Sequence, residues 1–281
     1  MLAALLALLA SLSWGTSDFL AGLESRRSTA WTAALAGQLV ASATLLVLLA
    51  AAAPALPSPA ALAAPALGGA IGGVGVVLQY RALVLVDMSL VSPIIAGAAL
   101  VPVLWGVASG ERPSALQVAG IALTLAGIVL ISRGPRRAAA APRRVDRRGI
   151  LMAVGAATAF GLFLVALDYG GRTDPLATVT AARTTAAVTL LAMAAATRPA
   201  IRVRRRAVPA LLAVGLLIVA ANLLFSTATT LGYLSIVGVL GWLNPAITML
   251  WARAILGERL RPLQSAAAVL VFAGIVSLTL G

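Results

Sequence analysis

GERPSALQVAGIALTLAGIV at 110–129 returns as GERLRPLQSAAAVLVFAGIV at 257–276, a shift of 147 residues. Gly110-Glu111-Arg112, Gln117 and Ala126-Gly127-Ile128-Val129 land on Gly257-Glu258-Arg259, Gln264 and Ala273-Gly274-Ile275-Val276. Upstream the shift becomes 146, which sets Ser89-Leu90-Val91 on Ser235-Ile236-Val237 and Trp14-Gly15 on Phe160-Gly161. Apolar sequence produces chance matches, so each alone is weak. One register held across several segments marks an internal duplication.

Between the copies lies RGPRRAAAAPRRVDRR, Arg133 to Arg148, with seven arginines. The boundaries that follow are 1–132 for the first repeat, 133–148 for the linker and 149–281 for the second repeat. A membrane helix needs about 20 mostly apolar residues. Counting runs between charges and Pro/Gly clusters predicts ten helices, over 2–22, 30–53, 60–85, 88–109, 114–132, 149–170, 175–197, 207–231, 233–256 and 262–280. The first run carries Trp14 and Asp18 and has no basic n-region, so it reads as a retained helix and not a signal peptide. Five helices per copy is an odd number, so the copies insert with opposite orientations. The predicted fold class is an all-α polytopic membrane protein built of two inverted five-helix repeats, an architecture common among secondary transporters.

Composition agrees. The chain has 281 residues, 61% hydrophobic and 10% charged. Soluble chains are roughly 45–50% apolar and about 25% charged, so the surplus apolar surface must face lipid. The net charge of +13 is made wholly of arginine, with no Lys and no His. These arginines sit between apolar runs and not along one polar face, so they point to anionic lipid and not to nucleic acid. The odd-numbered loops hold 16 arginines, the opposite side only Arg112 and Arg172, and Arg81, Arg183 and Arg253 lie inside runs. The positive-inside rule then puts the odd-numbered loops in the cytoplasm, across the cell membrane from both termini.

The chain resembles the drug/metabolite transporter superfamily, specifically its EamA-type permeases with two five-helix repeats. The carriers are Trp14-Gly15, Arg183, Pro245 and the Gly-Glu turns Gly110-Glu111 and Gly257-Glu258. Gln38 stands near the position matching Arg183, where the family pattern often has Arg. In small multidrug members a Glu in the first helix, three residues before a Gly, carries the coupling role; here that position is Leu12. The resemblance implies a secondary transporter of a small organic metabolite or drug.

Polar groups at membrane depth are functional candidates by default. Arg183 falls about 12 Å into its run at 1.5 Å per residue. It either meets an anionic solute group or coupling carboxylate, or forms a structural ion pair with Asp168. Asp18 shares a helix face with Trp14. A carboxylate in low dielectric can carry a proton, so Asp18 and Asp168 are the proton-coupling candidates; Asp18 alternatively pairs with Arg81. Pro93, Pro102 and Pro245 interrupt corresponding helices of the two halves, a pointer to a midplane site. Trp14, Gln38, Arg183, Asn222, Trp242 and Asn244 are the predicted solute-binding residues.

Gly68 to Gly75 contains four-residue glycine spacings that suit close helix packing and lacks the strand a phosphate loop needs. The Glu of each Gly-Glu turn is read as favouring the N-terminus of the helix that follows it. With no His, no Cys and eight scattered acids, the sequence holds no enzyme constellation, metal site or cofactor motif. No ATPase partner is implied. The remaining alternative is a membrane scaffold or sensor without transport.

Overall fold

The computed structural model describes residues 1–55, 57–132, 146–256 and 262–281. Most of the Arg-rich linker and the second Gly-Glu turn, Gly257-Glu258, lie outside the described residues. Ten spans among the described residues are helical, long and apolar enough to cross a membrane. The first repeat comprises α1 (Leu2–Arg27), α2 (Ala30–Ala52), α3 (Pro59–Leu85), a broken fourth span and α6 (Ala115–Ser132). The broken span consists of α4 (Met88–Ala96), a 3-10 turn at Gly97–Ala99, and α5 (Leu100–Ala108). The second repeat comprises α7 (Arg147–Gly171), α8 (Pro175–Thr197), α9 (Val208–Leu231), a broken ninth span and α12 (Pro262–Leu280). Its break separates α10 (Leu234–Gly241) from α11 (Asn244–Leu256).

Three predicted runs differ. The run 2–22 extends to Arg27, because Glu24 is buried and its carboxylate lies 3.5 Å from Arg27 one turn on. The runs 88–109 and 233–256 are each two helices. Both breaks fall at mid-span and coincide in the 146-residue register, which carries Gly97 onto Leu243.

The helix starts follow from side-chain caps. Thr29, Ser58, Asp146 and Asp174 each accept a backbone N–H from the first turn of the helix they precede. Ser114 and Gln117 form a reciprocal capping box at α6: Gln117 N–H donates to Ser114 Oγ at 3.2 Å, and Ser114 N–H to Gln117 Oε1 at 2.9 Å.

The repeats interlock rather than sit side by side. α3 packs on α7 and α8, α1 packs on α9, and α6 packs on α12. Exchanging the repeats maps the first pairing onto the second and the third onto itself, as a pseudo-twofold requires. Glycines allow the approach. A Cβ on Gly68 would strike Ala166, one on Gly69 the carbonyl of Ala182, and one on Gly75 the Ala159 side chain. That is the packing role expected of this stretch. The centre is closed by Leu164, Leu167, Phe225 and Leu240. Leu104 and Phe272 lie on the outside, as lipid-facing positions do. Trp105, Tyr169 and Tyr233 are exposed at the ends of α5 and α7 and ahead of α10, the level of an aromatic belt.

Candidate functional site

Asp174 caps α8 and Pro175 opens it, which fixes where the third turn begins. Arg183 is on that turn, nine-tenths buried. Its Nη2 donates to Asn222 Oδ1 at 2.6 Å and its Nη1 to Gln38 Oε1 at 3.4 Å. The guanidinium lies 4.5 Å from the centre of the Phe163 ring, close enough for a cation–π contact. Ser42 Oγ donates to the Arg183 carbonyl at 3.0 Å, which pins the α8 backbone to α2. Nε has no partner. The ion pairs among the described residues are Arg27–Glu24 and Arg172–Asp168, so no carboxylate of these residues neutralises Arg183.

Arg183 faces a cavity of about 750 Å³. Trp14, Gln38, Phe160, Phe163 and Trp242 line it alongside Arg183. Trp14 is held by Phe225, ring centres 5.5 Å apart, and Phe160 by Trp242 at 6.1 Å. Towards the mouth stand Asp18, Tyr80, Asn244, Pro245 and Thr248. Asp18 is exposed to this space, and its Oδ2 accepts from Asn244 Nδ2 at 2.7 Å. The break before α11 frees Asn244 for this bond. Gly15 permits α1 to approach α11: a Cβ there would meet the Asn244 carbonyl at 2.8 Å. Thr248 Oγ1 donates to the Gly15 carbonyl at 3.0 Å, and Trp251 Nε1 to Thr16 Oγ1 at 2.9 Å.

The mouth is lined by Ser25, Ala30, Leu83, Ser132 and Leu256. These belong to the ends of α1, α3, α6 and α11 and the start of α2, all on the side of the odd-numbered loops. The opposite face contributes no lining residue among those described.

Seven predicted residues therefore converge on one cavity: Trp14, Asp18, Gln38, Arg183, Trp242, Asn244 and Pro245. Asn222 is fully buried behind the wall and acts on Arg183, not on the cavity. Asp168 does not pair with Arg183. It lies one turn before Arg172 on α7, and their charged groups are 3.1 Å apart. Arg81 does not reach Asp18; it lines a separate groove of about 400 Å³ with Trp31 and Tyr80. Pro93 and Pro102 do not line the cavity; Pro102 packs on α10, 2.7 Å from where a Cβ of Gly238 would be.

Sequence reasoning missed Phe163, Phe160, Ser17, Gln79, Tyr80 and Thr248. Phe160 had a signal, since the repeat aligns it with Trp14. Phe163 had none, being one apolar residue in an apolar run.

Comparison with known proteins agrees with this architecture. The model of the EamA-like transporter family matches residues 1–133 and 147–280. A solved crystal structure superimposes with a TM-score of 0.82 at 22% identity, over 99% of this chain and 96% of the other. At that identity the likeness speaks for the fold. No curated protein matches the chain. Since the family model covers both repeats and nearly every residue, the chain belongs to the EamA-like transporter family of multi-pass membrane proteins.

Proposed function

We propose that the protein is a secondary transporter that moves a small organic solute by alternating access of the Arg183 cavity. The observation that carries this reading is the Arg183 guanidinium: nine-tenths buried, flanked by amides and a ring, and without a neutralising carboxylate among the described residues. An unneutralised buried cation costs several kcal/mol. A solute with an anionic group offsets that cost when it arrives. The aromatic walls from Trp14, Phe160, Phe163 and Trp242 suit an apolar body attached to that group.

Asp18 is the proton carrier in this reading. It is open to the cavity and bonded to a neutral amide, so it can gain and lose a proton at the mouth. Asp168 is a weaker candidate, because Arg172 holds it in an ion pair outside the cavity. In this reading the mouth faces the cytoplasm, which the arginine bias of the odd-numbered loops supports. Oligomeric state plays no part in this reading.

The test is uptake of labelled organic anions into proteoliposomes, with and without a pH gradient. Uptake that rises with the gradient supports the reading. A chain that inserts and folds but moves no solute, anionic or neutral, would sink it.

A further inference from the structure

The turn after α5 does more than reverse the chain. Gly110 adopts φ +98, and the N–H of Glu111 returns to the Gly106 carbonyl at 3.0 Å. This is the six-to-one bond of a Schellman motif, with Gly at the left-handed position. The motif sends the Glu111 side chain back over Gly106, where a Cβ would collide with its carboxylate. The α6 N-terminus, the expected beneficiary of this Glu, is capped by Ser114 and Gln117 instead. Glu111 acts across the repeat boundary. Its Oε1 accepts the N–H of Leu234 at 2.6 Å and its Oε2 the N–H of Ser235 at 3.0 Å.

Those N–H groups open α10, whose own cap residue, Tyr233, supplies no side-chain bond. Leu234 and Ser235 are buried, so the orphan donors of this helix end need a partner from elsewhere. The contact lies on the face opposite the cavity mouth. From there α10 runs eight residues inward to Gly241, and the next residue is Trp242, a wall of the cavity. Whatever moves the start of α10 therefore moves that wall.

We propose that Glu111 is a latch, a positioning residue that holds α10 on α5 and keeps the pathway shut on the face away from the cavity mouth. The latch rests on the alternating-access reading above. Its chemistry suits reversible use. Glu111 is only partly buried, and water satisfies both the carboxylate and the two N–H groups once they separate. A fully buried ion pair would resist separation far more. The rest of the α5–α10 contact includes small elements such as Pro102 against Gly238, which slide without interdigitated side chains.

The experiment places one cysteine at Ile95, a partly exposed cavity position, in the naturally cysteine-free chain. A membrane-impermeant thiol reagent is applied to each face of oriented vesicles. Glu111→Gln loses the charge that strengthens both bonds. It raises the labelling rate from the closed face about tenfold and leaves the rate from the mouth face within about twofold. Glu111→Asp falls between. An unchanged closed-face rate in Glu111→Gln, with mouth-face labelling intact, overturns the latch. A second measurement does not depend on how Glu111→Gln folds. Glu111→Cys with Tyr233→Cys, the exposed residue just before α10, is bridged by a short bifunctional thiol reagent. Bridging stops transport and a cleavable bridge restores it on reduction. Transport that continues through the bridged protein overturns the latch alone. A chain that transports nothing and never exposes Ile95→Cys on the closed face overturns both the latch and the transport reading.

Discussion

In the second repeat Arg183 bonds Asn222 and lies over Phe163; the 146-residue register places Gly37, Val76 and Ser17 at the equivalent positions of the first. The broken spans differ in the same way. Trp242, Asn244 and Pro245 at the second break all line the cavity. The first break, Gly97–Ala99, packs on α7 through the buried Ala98 and Ala99, and a Cβ of Gly161 would lie 2.7 Å from the Ala98 carbonyl. So the second repeat supplies the cation and the helix end, and the first supplies the Asp18 carboxylate and further wall. Scaffold residues are duplicated because each half must insert and pair. The wall repeats the aromatic pair Trp14 and Phe160, but the buried cation is not repeated, because a single anionic group needs one charge partner and a second buried cation would only add cost.

The sharpest way to break this comparison is to remove the singular charge. Arg183→Gln keeps hydrogen bonding but removes the cation, and transport falls by about a hundredfold or more, the loss of one desolvated charged contact. Gln38→Ala, in the first repeat, costs only a few-fold, since its bond to Arg183 is long at 3.4 Å. Equal losses from the two substitutions, measured as initial uptake rates at matched protein density, would mean that the halves share the site evenly.

Asp18→Asn is the next largest effect. The variant keeps its contact with Asn244 but cannot release a proton. Wild-type transport driven by a pH gradient should lose that dependence while downhill exchange continues at a reduced rate. Gradient-driven uptake that survives in full removes Asp18 as the carrier. Thiol mapping then sharpens the walls. Cysteines at Trp14, Gln38 and Asn244 should react with a water-soluble reagent and be protected by solute. A cysteine at Asn222 should not react, because that side chain is fully buried behind Arg183.

Gating offers a third comparison. Register aligns Glu258 with Glu111, and Met88-Ser89 with Leu234-Ser235. If the halves exchange roles when the pathway inverts, Glu258→Gln shifts cavity labelling towards the closed-face side less readily than Glu111→Gln, or reverses it. Identical shifts from both substitutions would end the idea that each Glu serves one face.

The fold was legible because its signals are long-range and redundant: ten apolar runs, an odd number per copy and one register. The depth of Arg183 was legible from its distance into α8. Partners were not. Asp168 looked available to Arg183, but Arg172 one turn away is the nearer cation on the same helix face. Phe163 and Asn222 sit in helices that are apolar all round, where no polar face tells inside from outside. Glu111 was read as local because sequence proximity is all a turn displays. Its real partners are 123 and 124 residues away.

The smallest effect tests the duplicated scaffold itself. Gly69 and Gly215 are equivalent in the register, one where α3 meets α8 and the other where α9 meets α2. At Gly69 an added Cβ runs into the backbone carbonyl of Ala182, which cannot rotate away. At Gly215 it meets chiefly the Val40 side chain, with the Gly37 carbonyl at 3.0 Å. Overpacking of this kind costs about 1–3 kcal/mol, so Gly69→Ala should lower the melting temperature and Gly215→Ala should lower it less. Gly22→Ala is the control. Nothing lies within 4 Å of its Cβ, and removing a helical glycine gains up to about 1 kcal/mol. Thermal unfolding in detergent ranks the three. If Gly215→Ala proves as damaging as Gly69→Ala, the two interfaces are equally rigid, and the asymmetry between the halves is confined to the pocket.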